Sequence, residues 1–168
     1  MGAAAAIVVA VAASLAVDRA RSQALFRAIC EDHAKYVTAQ SQFQSSDATR
    51  IEGWFQNKID FGIRIPSLKT ADLLGARLCI LKERRAALIF YKTQGRPVSL
   101  FQLNARDVPL GGIERSVIDG ASIWRMSHKG FAAAAFERRG VVSVLVSDLR
   151  ESDLLQLASA ARESAAYR

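Results

Sequence analysis

The sequence predicts an α+β domain: an antiparallel β-sheet of about six strands packed with a long N-terminal helix and a C-terminal helix. Residues 18–44 show the apolar spacing of an amphipathic helix. From residue 74 to residue 147, short apolar segments alternate with polar turns, as in consecutive β-hairpins. The segment from about residue 150 to residue 162 returns to helical spacing. Helices at both ends of a hairpin series therefore predict the α+β class.

The N-terminal segment, residues 1–17, carries no charge and is almost entirely Ala, Val, Ile and Leu. A membrane span needs roughly 20 apolar residues, and a run of about 10–14 is more often a signal-peptide core or a buried helix. No basic residue precedes the run, as one would in a signal peptide. We expect residues 1–17 to be an apolar membrane anchor, part of a transmembrane helix. A signal peptide and a buried alanine-rich helix are the alternatives.

The helix predicted over residues 18–44 places Phe26, Cys30, His33 and Val37 on one face. If residues 3–17 are helical too, the two segments form one long helix. A polar break at residues 44–47 precedes a short helix over residues 49–55. The Ile65-Pro66 pair ends that part of the chain, because a residue before proline is pushed towards extended geometry.

Six strands are predicted from apolar segments bounded by short polar connections. They are Leu74–Leu81, Ala86–Lys92, Pro97–Leu103, Ala121–Met126, Gly130–Glu137 and Val141–Ser147. Residues 104–120, which contain Pro109 and Gly111-Gly112, read as a loop. The final helix has Glu151 and Asp153 in its first turn, where the helix dipole favours acids.

The composition limits the function. Residues 18–168 have the usual size of one domain. The apolar content of the whole chain, 51%, is typical of a folded protein. A net charge of +7 beside an apolar anchor suits an anionic lipid surface. The Lys and Arg residues do not cluster, so we expect no direct binding to nucleic acid. No phosphate-binding glycine loop, nucleophile elbow or metalloprotease motif is present. We therefore predict a protein that is not an enzyme and has no cofactor.

Two cysteines and a histidine remain as candidate site residues. Cys30 and His33 lie three positions apart on one helix face and could share a metal, with Met126 and His128 as further ligands. Cys30 and Cys79 could form a redox pair in an oxidising compartment. Alternatively, Cys30 and His33 simply belong to a buried apolar face. Trp54-Phe55 and Trp124 are predicted to be core aromatic residues.

The order of several segments resembles that of bacterial membrane-anchored anti-sigma factors over roughly residues 30–158. A helical histidine is followed by a Val-x-x-Trp-Phe-x-x-Lys/Arg-Leu-Asp-Phe-type segment and a proline, then by Leu-x-Gly-Gly-Arg-Leu, Ala-x-Leu-x-Tyr and Ile-x-Leu-Phe strands. Ala76 replaces the second glycine of the first strand motif. The matching residues here are His33, Trp54, Phe55, Asp60, Phe61, Gly75, Arg77, Tyr91, Trp124 and Asp148.

The resemblance implies the extracytoplasmic sensory domain of a regulator that controls an extracytoplasmic-function sigma factor. It implies a single-pass inner-membrane protein with residues 18–168 as one domain in the periplasm. Family members commonly bind the sigma factor through a cytoplasmic module with a His-x-x-x-Cys-x-x-Cys zinc motif. This chain lacks that motif, so we expect the sigma factor to bind a module absent from it. The alternatives are a redox- or metal-responsive periplasmic binding domain and a basic membrane-surface module unrelated to transcription.

Overall fold

The computed structural model describes residues 2–38 and 41–164 of the chain. Three helices, eight strands and one short 3-10 turn make up this part. The helices are α1 (Gly2–Tyr36), α2 (Ala48–Phe55) and α3 (Glu151–Ser164), and the 3-10 turn is Ala105–Asp107. The strands are β1 (Phe43–Gln44), β2 (Asp72–Leu81), β3 (Arg84–Thr93), β4 (Arg96–Asn104), β5 (Glu114–Ile118), β6 (Ala121–His128), β7 (Phe131–Arg138) and β8 (Val141–Ser147).

All eight strands form one antiparallel sheet in the order β1-β2-β3-β4-β8-β7-β6-β5. Strands β2 to β4 form one meander and β5 to β8 form a second. The two meanders join where β4 pairs with β8, with Phe101 opposite Val144. The last strand therefore completes the centre of the sheet, and the short strands β1 and β5 lie at its edges.

Two-residue turns connect the strands within each meander. In four of them a residue with φ of 49–51° precedes a glycine with φ of 77–83°. Positive φ at both positions is typical of the type I′ turn, whose twist matches the twist of paired strands. The four turns are Gln94-Gly95, Asp119-Gly120, Lys129-Gly130 and Arg139-Gly140.

The sheet has a hydrophobic core on each face. On one face, Leu25, Phe26, Ile29 and Cys30 of α1 pack against the sheet, and we call this the α1 core. On the other face, α2, α3 and residues 57–71 cover the sheet, and we call this the strap core. Residues 57–71, the strap, connect α2 to β2.

The predicted α+β class with an antiparallel sheet is confirmed, but the sheet has eight strands and not six. Strand β1 was missed because two residues are too few to show a period. Strand β5 was missed because it follows Pro109 and Gly111-Gly112, which favour a loop. Helix α1 runs unbroken from residue 2 but ends at Tyr36, short of the predicted end at residue 44. Residues 39 and 40 of that prediction lie outside the described residues.

The predicted membrane anchor is wrong. Among the described residues, no helix has the length and apolar character needed to cross a membrane. Helix α1 is charged from Asp18 onward and then packs on the sheet. The predicted single-pass placement in the inner membrane, with residues 18–168 in the periplasm, is therefore not supported.

Candidate functional site at the interface of helix α1 and the sheet

Helix α1 consists of two halves with different surroundings. Residues 12–21 are exposed, and burial begins at Ser22. From there, Phe26, Ile29, Cys30 and His33 are all fully buried against the sheet. These positions follow helical spacing, so one face of α1 meets the sheet while the opposite face remains exposed. The predicted face is confirmed for Phe26, Cys30 and His33, which lie in the protein interior, but Val37 lies beyond the end of α1 and is half-buried.

His33 is the most unusual polar residue of this interface. Its Nδ1 atom lies 2.8 Å from Oγ of Ser99 on β4, and both residues are buried. The imidazole also meets the ring of Phe131 edge-on, with 4.9 Å between ring centroids. The other ring nitrogen, Nε2, is buried and has no hydrogen-bond partner among the described residues. His33 therefore joins α1 to β4 through one nitrogen and leaves the other unsatisfied.

Burial also determines the charge of His33. Loss of solvent lowers the pKa of His33 from 6.5 to about 4, and the negative charge of Asp148 opposes this only in part. A buried imidazole without a carboxylate partner favours its neutral form. His33 is therefore neutral near pH 7, and in that form it retains a lone pair on one nitrogen.

Both cysteines are buried and unpaired, and both belong to the α1 core. Burial raises the pKa of Cys30 to about 11, with a smaller contribution from Glu31. Burial likewise raises the pKa of Cys79 to about 12, and Asp32 adds to the effect. Because the thiolate is the reactive form, these protonated thiols are weak nucleophiles at neutral pH. A Cys30–Cys79 redox pair stays a prediction, now between α1 and β2.

Cys30 and His33, the predicted metal ligands, are both buried between α1 and the sheet. The part of the chain that the structure describes contains no group of three or more His, Cys, Asp or Glu residues able to hold one. Met126 packs at the margin of the α1 core. His128 contacts Glu31 at the surface, with 3.4 Å between Nε2 and Oε1. Met126 and His128, the predicted further ligands, thus make other contacts in this structure. Metal binding by Cys30 and His33 stays a prediction.

The residues of the Trp-Phe motif lie around the start of the strap. Trp54 stacks on Phe43 of β1 with 5.7 Å between ring centroids, and the Lys58 ammonium lies 4.7 Å from the Trp54 ring centroid. Phe55 is buried in the strap core and Phe61 packs against it. Asp60 is exposed. Phe55 is a core residue as predicted, whereas Trp54 is half-buried and packs at the margin of the strap core.

The other motif residues are distributed over the sheet. Gly75 forms a bulge beside β1, where a Cβ atom would clash with the Phe43 carbonyl oxygen. The Arg77 guanidinium lies 4.4 Å from the Tyr36 ring centroid at the end of α1. Tyr91 donates a hydrogen bond of 2.8 Å to the Pro66 carbonyl of the strap. Trp124 packs at the margin of the α1 core, and Asp148 pairs with Arg96 at 2.6 Å. The motif residues therefore do not converge on one pocket.

Sequence reasoning missed the partners of His33. Ser99 is a polar residue within the apolar run Val98-Ser99-Leu100-Phe101, and that contrast was a usable signal of a buried hydrogen bond. Phe131 begins β7 and gave no such signal.

No known protein family and no curated protein matches this chain.

Proposed function

We propose that this chain is a regulatory domain of the anti-sigma-factor kind, which controls a sigma factor by repositioning helix α1 and has no catalysis of its own. One observation carries the proposal. Helix α1 is continuous over 35 residues; residues 12–21 are exposed, and from Ser22 onward one face is buried on the sheet. A continuous helix moves as a unit, so any shift of the buried part would also move residues 12–21.

The attachment of α1 suits such a role. Besides apolar packing, the polar contacts between α1 and the sheet include the buried pair His33–Ser99, the surface contacts of His128 and Lys129 with the Glu31 carboxylate, and the Arg77 guanidinium over the Tyr36 ring. The Glu31 contacts are at the surface, where ion pairs contribute little, about 0–1 kcal/mol. An element held mainly by nondirectional apolar contacts can be displaced without breaking a hydrogen-bond network.

The link to a sigma factor comes from the resemblance of the motif segments. In such regulators the sigma factor is bound by a separate module, and the domain described here would govern that module through α1. The proposed absence of catalysis is consistent with the site chemistry. The thiols of Cys30 and Cys79 are protonated at neutral pH, and His33 is enclosed between α1 and the sheet.

The test is genetic. Deletion of the complete gene in its bacterial host, followed by transcript sequencing, is expected to raise the transcripts of one sigma-dependent promoter set. The native gene should restore repression. Phe26→Ala, which weakens the α1 core, should change repression at equal protein level by immunoblot. Val117→Ala alters an exposed side chain on β5 and should behave as native. Unchanged transcription of every sigma-dependent promoter set in the deletion strain would overturn the proposal.

A second candidate, a redox-responsive domain, is favoured by the presence of Cys30 and Cys79 in one core on facing elements. Oxidation by hydrogen peroxide would form one S–S bond, transfer two electrons and two protons to the peroxide, and release water. The bond would fasten α1 to β2. Mass spectrometry after peroxide treatment should show a loss of two hydrogens, abolished in Cys79→Ser. Thiols that stay reduced until the protein is unfolded would exclude this candidate.

A further inference from the structure

An arginine-lined pocket opens on the strap side of the sheet, beside the β7–β8 turn. Its volume is about 210 Å³, and its lining includes Arg64 of the strap together with Arg138 and Arg139 at the turn. Buried Gln102 of β4 and Ser143 of β8 also line it. Three arginine residues from two separate segments thus line one small pocket.

The floor of the pocket is held by a hydrogen-bond network. The Gln102 side chain accepts from the Arg64 backbone N at 3.1 Å and donates to the Arg64 carbonyl at 2.6 Å. The same amide nitrogen donates to Ser143 Oγ at 3.2 Å. Because Ser143 Oγ accepts this bond, its own hydrogen can be donated to a ligand. The network fixes the strap backbone at Arg64 beside the β7–β8 turn.

Arg138 supplies an independent indication of a ligand. Its Nε atom is buried and has no hydrogen-bond partner among the described residues. Native proteins rarely leave a buried donor unsatisfied, so each such group calls for an explanation. The turn that carries Arg139 is itself fixed, since the Gly140 carbonyl accepts from the Ala105 backbone N at 2.8 Å. Arg64 also forms an ion pair with Glu52, with 3.7 Å between Nη1 and Oε2.

We propose that this pocket binds a small anion that carries a phosphoryl group. A single carboxylate is satisfied by one bidentate arginine, whereas several arginine residues around one pocket suit the charge and the three oxygens of a phosphomonoester dianion. The Ser143 hydroxyl supplies a further donor at the floor. The pocket volume of about 210 Å³ is that of a small molecule. The site stands independently of the regulatory role of α1.

Calorimetric titration of the purified chain tests the proposal, with inorganic phosphate and glycerol 2-phosphate as probes and acetate as the carboxylate comparison. We expect one phosphomonoester per chain and weaker binding below pH about 6, where the dianion becomes protonated. Binding should also weaken as chloride is added, because salt screens the charges. Acetate that binds as tightly as glycerol 2-phosphate would overturn the assignment of a phosphoryl group.

Single substitutions locate the site. Arg138→Gln and Arg139→Gln should each weaken glycerol 2-phosphate binding about tenfold or more, because each removes a charge-assisted contact. Arg139 lies in an exposed turn, so its replacement leaves the core intact. The matched control is Arg115→Gln on β5, which lowers the net charge equally and should change binding less than about twofold. Equal losses in Arg139→Gln and Arg115→Gln would show a general charge effect and overturn the proposal.

The unsatisfied Nε atom of Arg138 allows a second test, by thermal unfolding. Arg138→Met removes the buried Nε atom, so the unliganded variant should melt at or above the native temperature. It should also lose most of the rise in melting temperature that glycerol 2-phosphate gives to the native chain. A ligand-induced rise equal to that of the native chain would contradict the assigned role of Arg138.

Discussion

The two faces of the sheet are covered in different ways. On the strap face, side chains bond to backbone groups at several points: Tyr91 to Pro66, Thr93 to Thr70, Gln102 to Arg64, and Glu52 to Ile65. On the α1 face, one helix is held by apolar packing, by the buried contact between His33 and Ser99, and by surface contacts at Glu31 and Tyr36. The strap face also has two helices, α2 and α3, where the other face has one.

This difference separates a fixed face from a displaceable one. Directional hydrogen bonds to an irregular segment specify a single arrangement, because breaking any of them leaves a buried polar group unpaired. Apolar packing of a single helix has no such requirement. The buried thiols and the unsatisfied imidazole also lie on the α1 side. We therefore expect changes of state in this domain to occur at α1 while the strap side stays intact.

The largest effect is expected from removing the Phe26 side chain, which packs α1 against the sheet. Phe26→Ala deletes a fully buried ring and should lower the free energy of unfolding by about 3–5 kcal/mol in urea titrations. Hydrogen exchange should rise in α1 and stay low in the strap and α3 if the faces are independent. Leu15→Ala, at an exposed position of the same helix, should change stability by less than about 0.5 kcal/mol. A uniform rise in exchange would contradict the two-face interpretation.

Acidification should act on the α1 face through His33. The folded pKa is about 4 and the unfolded value is 6.5, so between these pH values the unfolded state binds a proton that the folded state does not. Stability should therefore fall as the pH is lowered from about 6.5 to 4, by about 2–4 kcal/mol in total. His33→Gln cannot titrate and should lose this part of the pH dependence in urea titrations. His128→Gln should retain it.

The close approach of β1 to β2 is tested by substitutions at two glycines. Gly75→Ala places a Cβ against the Phe43 carbonyl at a residue with φ of +151°, so it should destabilise the fold by about 1–2 kcal/mol or more. Gly53→Ala is the matched control, because nothing lies within 4 Å of its Cβ position and it is in helix α2. It should stabilise by about 0.5–1 kcal/mol. Thermal unfolding measures both, and equal effects would refute the close approach at Gly75.

The smallest effect concerns one hydrogen bond that holds the strap to the sheet. Burial raises the pKa of Tyr91, which keeps its hydroxyl protonated as a donor to the Pro66 carbonyl. Tyr91→Phe should cost about 1–2 kcal/mol, because it leaves that carbonyl unpaired. Exchange should increase in the strap and not in α1. Tyr36→Phe, at a half-buried position, should cost less than about 0.5 kcal/mol. Increased exchange confined to α1 would be the contrary result.

Much of the fold could be predicted because its signals are local. The face of α1 that carries Phe26, Cys30 and His33 follows from helical spacing, and the hairpins follow from turn pairs such as Arg139-Gly140. Strands β1 and β5 could not be predicted in this way. The first is two residues long, and the second owes its position to pairing with β6.

The candidate sites could be predicted less well from the sequence than the fold. Cys30 and His33 could be chosen from their spacing, but the burial that raises the pKa of one and lowers that of the other depends on the sheet beneath them. The arginine pocket gave no sequence signal, since Arg64 and Arg138 are far apart along the chain. Apolar length likewise suggested a membrane anchor, which the described helices do not support.

The sequence by itself determined the α+β class, the hairpin turns and the buried face of α1, because periodicity and turn chemistry act between residues a few positions apart. The tertiary structure alone decided that β4 pairs with β8, that Ser99 meets His33, and that three arginines share a pocket. These contacts join residues that are distant in sequence. They form because two hydrophobic faces of one sheet must each be covered, and the chain path that covers them is a property of the whole fold.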